Sequence, residues 1–143
     1  MEVTHHGPEI NKPCCFIEIG SSEKEWQDEK AVKIIAETIK TAIEKYKPNK
    51  EWVSCIAIGG KHYAPSFNKI QLNSNYAISH IIPEYTLPLN EKMLNEAIEK
   101  TTPKPKTAIL DWKAIGKSEE RKEIISLLNK YNLKIIRTNQ IEK

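Results

Sequence analysis

Short apolar runs alternate with amphipathic segments along this chain, and that alternation constrains its fold more than any other feature. Strand-like runs occupy residues 14–19, 52–58, 107–112 and 133–138. Several intervening segments place apolar residues three and four positions apart, which is the spacing of one helix face. Residues 68–88 show two strand-like pieces and no helical pattern, so we expect an antiparallel strand or a long crossover there. The pattern predicts one α/β domain over residues 1–143, with a mostly parallel, mixed sheet.

Local signals predict where the helices begin and end. Asp28 precedes a helical pattern that stops at Pro48, and residues 22–25 fit a capping box that starts a turn of helix earlier. Asn90 and Ser118 are placed to cap two further helices.

The composition is that of a folded protein and excludes several classes. Of the 143 residues, 39% are hydrophobic and 29% are charged, which differs from the polar composition of disordered chains. No apolar run approaches the ~18 residues of a membrane span. The first residues lack the basic and apolar regions of a secretion signal, so we expect a cytoplasmic protein without a membrane partner. A net charge of +3 permits an anionic partner without requiring one.

The three cysteines make a poor disulfide framework, because Cys14 and Cys15 are adjacent and Cys55 has no obvious mate. All three stand in apolar runs, and we interpret them as small buried hydrophobic residues. Metal ligation by Cys14 or Cys15 is the alternative.

Glycines and polar residues stand at the ends of the predicted strands, where open α/β sheets bind ligands. Glu18 lies in the first run, the sequence GGKHY follows the second run, and Asp111 closes another. Gly59 and Gly60 favour a loop whose backbone turns sharply or approaches a ligand closely, and a plain tight turn is the alternative.

The four histidines are candidate bases or metal ligands. His62, on the glycine-containing loop, is suited to act as a general base, a ligand or a hydrogen-bond donor. His80 interrupts an apolar strand, where it is either functional or a satisfied core or edge residue. His5 and His6 point opposite ways if the chain is extended there. Imidazole, carboxylate and thiolate groups could together bind zinc, but the chain has neither HExxH nor CxxC.

Basic residues concentrate after the predicted second helix: Lys104, Lys106, Lys113, Lys117, Arg121 and Lys122. Together with Trp112 they form either a surface that tracks phosphates or an ordinary solvated face, since glutamates are interleaved with them.

Five blocks of the sequence, read in order, resemble the signature blocks of one family: THHGP, FIEIGSSEKEW, IGGKHYAP, SHIIPEY and LDWKAIGKSEER. That family is the archaeal and plant type of D-aminoacyl-tRNA deacylase. Family members carry a further segment before the THHGP block, so the chain resembles the C-terminal part of the family. The resemblance implies a three-layer α/β/α fold similar to the phosphorylase and peptidyl-tRNA hydrolase group, in agreement with the alternation of strands and helices.

The same resemblance implies hydrolysis of the ester that joins a D-amino acid to the terminal adenosine of tRNA, with zinc as the cofactor. The expected catalytic residues are Glu18, His62 and His80, and the expected metal ligands are His5, His6, His62 and His80. The expected substrate contacts are Gly59, Gly60, Lys61, Tyr63, Lys104, Lys106 and Lys113. The Gly59 and Gly60 amides are candidate oxyanion donors, and a rigid loop held by Tyr63 and Pro65 would exclude an L side chain.

Two alternatives are a fragment that binds the tRNA acceptor end without hydrolysis, and a zinc hydrolase of another ester or amide. Because relatives are longer at the N-terminal side, we also expect a homo-oligomer and weak deacylation compared with a full-length relative.

Overall fold

The chain forms two compact units, described here from a computed structural model. The described residues are 1, 3, 10, 12, 14–20, 22–47 and 50–141. One unit comprises residues 14–49, and the other comprises residues 1–13 and 50–143. The prediction of a single domain over residues 1–143 stays a prediction.

The smaller unit contains two helices, α1 (Glu23–Trp26) and α2 (Glu29–Lys45). The hydroxyl of Ser22 donates to the Glu25 carboxylate, and α1 begins after Ser22 as the capping box predicts. The Asp28 carboxylate accepts from the backbone N–H groups of residues 30 and 31, at 2.8 and 3.3 Å, and so caps α2. The predicted starts of both helices are therefore confirmed.

The prediction of a first strand over residues 14–19 is wrong, because residues 14–20 are all described and none belongs to a strand. Cys14 and Cys15 are exposed, contrary to their interpretation as buried residues, whereas Cys55 is fully buried. Alternating apolar residues fit a pleated strand, but pairing needs a neighbouring strand that the local pattern does not supply.

The larger unit is built on a four-stranded sheet in the order β2-β1-β3-β4. Its elements in chain order are β1 (Val53–Ile58), α3 (Pro65–Asn73), β2 (Tyr76–Ile82), α4 (Glu91–Glu99), β3 (Thr107–Leu110), α5 (Ser118–Lys130) and β4 (Lys134–Arg137). Two 3-10 turns, Glu84–Thr86 and Thr138–Gln140, follow β2 and β4.

All the pairings in this sheet are parallel, so the predicted predominance of parallel strands is confirmed, whereas the antiparallel strand offered as one alternative for residues 68–88 is wrong. The difference comes from α3, which the sequence pattern did not predict. Pro65 occupies the first turn of that helix, and Phe67 and Ile70 are its buried residues. The helix carries the chain from β1 back to the start of β2, as a parallel pair requires.

Helices cover both faces of the sheet. Residues 56, 58, 108 and 110 of β1 and β3 pack with α4 and α5, whereas residues 55, 57 and 109 pack with α3. Since successive residues of a strand face opposite sides, these two clusters lie on opposite faces. The predicted three-layer α/β/α arrangement is confirmed. Among the described residues no helix is both long enough and apolar enough to span a membrane.

Candidate functional site

The strand order places a switch point between β1 and β3. The chain leaves β1 toward β2 on one side of the sheet and continues from β3 to β4 on the other. In open α/β sheets, ligands bind in the crevice that this divergence opens beyond the carboxyl ends of the two strands. Residues 59–64 follow β1 at this crevice, and Asp111 follows β3.

Gly59 and Gly60 adopt backbone conformations that favour glycine, with φ of +94° and +78°. A Cβ atom on Gly59 would lie 2.9 Å from Cγ2 of Ile115, and one on Gly60 would lie 3.1 Å from Cε2 of Phe67. The glycines therefore allow both a left-handed turn and close packing of the loop against the protein.

Every residue of the 59–64 loop has a backbone group fixed by a hydrogen bond. The bonds are Gly59 N to Ile82 O (2.8 Å), Glu84 N to Gly60 O (3.0 Å), Ala64 N to Lys61 O (2.9 Å), Val3 N to His62 O (2.9 Å) and Asn68 Nδ2 to Tyr63 O (2.9 Å). These partners come from the sheet, from α3 and from the start of the chain. Because the loop is held at each position, its groups are positioned before any ligand arrives.

The hydrogen bonds of the loop distinguish between the Gly59 and Gly60 N–H groups as oxyanion donors. The Gly59 N–H is already donated to Ile82 across the sheet, so it is not available to a substrate. The Gly60 N–H has no acceptor among the described residues, although Gly60 is buried. A buried backbone donor usually has a partner, so the Gly60 N–H is the donor of this loop best placed for a ligand oxygen.

Two polar residues that were not among the predicted site residues meet at the same crevice. The Ser66 hydroxyl, in the first turn of α3, donates to Oδ2 of Asp111 at 2.8 Å. That carboxylate oxygen is 3.9 Å from the position of a Cβ on Gly60. Asp111 could be found from its place at a strand end, but Ser66 could not be found without predicting α3.

His62 is half-buried on the loop, and its ring packs edge-on against Tyr63 with centroids 4.9 Å apart. Its carbonyl accepts from the backbone N–H of Val3, which is 7% exposed. Val3 precedes the THHGP block by one residue. His5 and His6, two predicted zinc ligands, lie outside the described residues.

His80 lies in β2, at a position set by a β-bulge. Ile78 pairs with Cys55 and His80 pairs with Ile56, so Ser79 is the extra residue, and its hydroxyl donates to the carbonyl of Cys55 at 3.0 Å. After the bulge His80 shares the face of Ile82, toward α4. On α4 the pKa of Glu96 is lowered by its bond and charge pairing with Lys100, with His80 as a small further cause.

The described residues do not by themselves assemble a zinc site. Among them, no group of three or more histidine, cysteine, aspartate or glutamate side chains is close enough to hold a metal ion.

Glu18 is exposed and belongs to the smaller unit. There it borders a shallow depression of about 450 Å³, lined also by Ile17, Ile19, Gly20, Trp26 and Ile35. The predicted convergence of Glu18 with His62 joins residues of two units and stays a prediction.

The three predicted substrate-binding lysines outside the loop do not lie at the same end of β3. Lys104 and Lys106 precede β3, whereas Lys113 follows it, so the strand separates them. Lys104 also forms an ion pair with Glu99 at 2.7 Å. Lysines that are close in sequence are separated here because the strand β3 runs between them. Whether these lysines contact the substrate stays a prediction.

Two arginines surround Trp112 beyond the carboxyl end of β3. The guanidinium carbon of Arg137 lies 3.6 Å from the centroid of the Trp112 ring, and that of Arg121 lies 4.8 Å from it. These distances are within the range of cation–π contacts.

Comparison with known proteins gives consistent matches. A family model described as D-aminoacyl-tRNA deacylase matches residues 1–136. A D-aminoacyl-tRNA deacylase from Thermococcus onnurineus is 45% identical over 137 residues, which are 95% of this chain and 50% of that protein. One from Archaeoglobus fulgidus is 33% identical over 145 residues, covering 100% of this chain and 50% of that protein.

A crystal structure of a conserved protein of unknown function has a TM-score of 0.86 and 32% identity, and the match covers 99% of this chain and 49% of that chain. The chain thus spans about half the length of the curated relatives that it matches.

Proposed function

The chain belongs to the D-aminoacyl-tRNA deacylase family, and from this premise we propose that it hydrolyses the ester between a D-amino acid and the terminal ribose of tRNA. The relatives carry that activity in their names, and this chain corresponds to half of their length. The observation that carries the proposal is the 59–64 loop, which combines a fixed backbone, a Gly60 N–H with no acceptor among the described residues, and His62 at the carboxyl ends of the strands.

The chemistry of an aminoacyl ester matches these groups. Water attacks the ester carbonyl, the carbonyl oxygen becomes negatively charged, and the ribose oxygen leaves with a proton. In the proposed mechanism the His62 imidazole takes a proton from the attacking water and returns one to the leaving oxygen. The Gly60 N–H donates to the developing oxyanion, and its fixed position means that little reorganisation is needed in the transition state.

Asp111 suits the remaining polar group of the substrate, the α-ammonium group. One carboxylate oxygen is held by Ser66 and lies next to Gly60, so the group is oriented beside the proposed carbonyl position. A carboxylate accepts strongly from an ammonium donor. Asp111 would thus bind the amino group while Gly60 binds the carbonyl oxygen.

Discrimination between D and L substrates follows from these fixed points. If the carbonyl, the ammonium group and the ribose are each held, the side chains of the two enantiomers must leave the α-carbon in different directions. The loop cannot yield easily to an L side chain, because its backbone is bonded at each position and Gly60 packs closely on Phe67. Rejection by a rigid wall is a direct source of specificity.

Zinc stays a prediction in this proposal. The described residues that could contribute ligands are His62 and His80, and the THHGP histidines would have to complete the set. Bound zinc would supply a Lewis acid and a more acidic water. Elemental analysis of protein purified without added metal tests this: about one zinc per chain supports it, and less than about 0.1 contradicts it.

The proposed function is tested by incubating the chain with D-tyrosyl-tRNA and L-tyrosyl-tRNA, with and without a chelator, and following ester loss. The full-length Thermococcus onnurineus relative serves as the positive control. We expect faster loss of the D ester than of the L ester, each measured against the spontaneous rate. Equal loss of both esters would contradict the chiral assignment.

The same experiment separates the alternative functions. A fragment that only binds the tRNA acceptor end would bind both tRNAs without hydrolysis. A zinc hydrolase of other esters would lose activity in chelator and show no preference for the tRNA ester over a simple D-tyrosine ester. The homo-oligomer expected from the sequence also stays a prediction, which light scattering of the isolated chain tests.

A further inference from the structure

Two positive charges meet at one aromatic ring in a cluster formed by Trp112, Arg121 and Arg137, here called the Trp112 cluster. Both guanidinium carbons lie within 5 Å of the same ring centroid, at 3.6 and 4.8 Å. The two charges are therefore separated by no more than roughly one Debye length, which is ~8 Å at physiological ionic strength. Two positive charges this close repel each other, and an anion bound between them would offset that repulsion.

No carboxylate among the described residues forms an ion pair with either arginine. Two neighbouring acids of α5 have other partners, since Glu119 pairs with Lys122 at 2.9 Å and Glu120 accepts from the Lys117 N–H at 2.5 Å. The Nε atom of Arg121 is buried and has no acceptor in the described part of the chain. Buried donors usually have an acceptor, so this atom points independently to a ligand.

The position of the cluster relates it to the candidate site. Trp112 follows Asp111 directly, so the two Cα atoms are about 3.8 Å apart. The Trp112 ring packs on the hydrophobic cluster formed with α4 and α5, which holds it in place. The Asp111 carboxylate instead bonds to Ser66 of α3, so the cluster and the crevice lie on the two sides of the same carboxyl end of β3.

We propose that the Trp112 cluster binds the phosphodiester on the 5′ side of the terminal ribose at an RNA 3′ end. This inference rests on the proposed function, because it places the ester-bearing ribose of the same nucleotide in the crevice. A guanidinium group matches the geometry of phosphate oxygens through two parallel hydrogen bonds. Stacking on Trp112 holds the guanidinium groups in place, so less side-chain freedom is lost on binding.

The cluster suits the single-stranded 3′ end of an RNA. The ring and the two cations also suit a flexible single-stranded end, whose backbone can bend between the crevice and Trp112. The lysines expected to bind tRNA at the other end of β3, Lys104 and Lys106, are not part of this site.

The test uses the RNA trinucleotide CCA and an analogue in which a neutral methylphosphonate replaces the last phosphodiester. Binding is followed by the fluorescence of Trp112 in a Trp26→Phe/Trp52→Phe background, since these other two tryptophans are 58% and 60% exposed. The variants are Arg137→Gln, Arg137→Lys and Arg121→Gln. Lys134→Gln is the matched control, because it also removes one exposed positive charge but lies at the other end of β4 from Arg137.

The protein with both arginines should bind CCA about tenfold more tightly than the methylphosphonate analogue, as expected for one charge-assisted hydrogen bond. Arg137→Gln should weaken CCA binding by about tenfold and reduce the preference for the natural linkage to less than about twofold. For Arg137→Gln, the slope of log Kd against log salt should be smaller by about 0.7 for each phosphate of the single strand that this variant no longer neutralises. Arg137→Lys should bind with intermediate affinity, and Lys134→Gln should bind like the parent.

Several results would overturn the inference. These are the absence of CCA binding at low salt, an unchanged preference for the natural linkage in Arg137→Gln, or an equal decrease in affinity in Lys134→Gln. Arg121 is half-buried, so its variant counts only if its thermal unfolding matches that of the parent, whereas Arg137 is exposed and carries the test.

Deacylation is measured separately, so the two proposals fail independently. Hydrolysis of D-tyrosyl-tRNA without linkage preference in CCA binding contradicts the Trp112 cluster alone. Linkage preference without hydrolysis contradicts the proposed function alone.

Discussion

Replacement of Gly60 by alanine should destabilise the larger unit through two separate effects. The backbone of Gly60 has a φ of +78°, and a residue with a Cβ atom in the left-handed region costs about 1–2 kcal/mol. The new Cβ would lie 3.1 and 3.6 Å from two ring carbons of Phe67, whose side chain is fully buried. Overpacking against a fixed core group costs about 1–3 kcal/mol. The expected total is about 2–5 kcal/mol, a large part of the ~5–15 kcal/mol that stabilises a typical domain.

Gly116→Ala is the matched control. Gly116 has a nearly identical φ of +81°, and the atoms closest to its Cβ position belong to the exposed side chain of Glu120 rather than to the core. This variant should lose the same ~1–2 kcal/mol of backbone strain, and about 0.5–1.5 kcal/mol more if the Glu120 carboxylate has to leave the Lys117 N–H. Urea unfolding followed by tryptophan fluorescence gives the free energy of unfolding of both variants, with equal m-values as the condition for comparison. If Gly60→Ala costs no more than the ~1–2 kcal/mol of backbone strain, the close packing of the loop on Phe67 is wrong.

Two further predictions follow from the titratable groups. Burial raises the pKa of the Cys55 thiol to about 12. A thiol reagent at pH 8 should therefore modify the exposed Cys14 and Cys15 in the folded protein and reach Cys55 only after denaturant is added. Modification of three thiols without denaturant would contradict this. The hydrogen bond from Lys130 lowers the pKa of Glu91, and the same bond raises the pKa of Lys130. The Glu91 contribution is complete above an ordinary pKa of ~4.3 and is lost as pH falls through the lowered pKa, while the Lys130 contribution is complete below ~10.4 and is lost as pH rises through the raised pKa. Glu91→Gln should therefore lower Tm equally from pH 6 to pH 9 and less at pH 3, whereas an equal decrease at pH 3 would contradict the pairing.

Much of the fold could be predicted because its signals are local. Asn90 and the apolar spacing after it predicted α4, and the structure places the Asn90 side chain on the Met93 N–H at 2.9 Å. The apolar run over residues 52–58 likewise predicted β1, whose last four residues are buried. A capping side chain and a helical period act within a few residues, so one sequence carries them completely.

The errors arose where pairing or context decides the structure. Residues 14–19 alternate as a strand does, but no neighbouring strand pairs with them. Helix α3 has only two buried residues, Phe67 and Ile70, and its first turn resembles a continuation of the glycine loop. Without α3, Ser66 could not be predicted either, since it reaches Asp111 across 45 positions of sequence. A contact of that kind depends on the fold and has no local signal.

The location of the candidate site could be predicted better than the residues and groups that form it. The rule for strand ends identified the 59–64 loop and Asp111 correctly as neighbours at one edge of the sheet. The pattern could not show that the Gly59 N–H is already bonded while the Gly60 N–H has no acceptor among the described residues. Nor could it show that a bulge at Ser79 turns His80 toward α4.

The central claim is that His62 on the fixed loop acts on the ester, and one comparison tests it most directly. Single-turnover loss of the ester from D-tyrosyl-tRNA is measured for the unmodified chain, for His62→Gln and for the control His80→Gln, with thermal unfolding of each recorded. Loss of a general base typically slows a reaction by about 10²–10⁴-fold. We expect a decrease of at least about 10²-fold for His62→Gln at unchanged Tm, and a smaller effect for His80→Gln. Full activity of folded His62→Gln would contradict it.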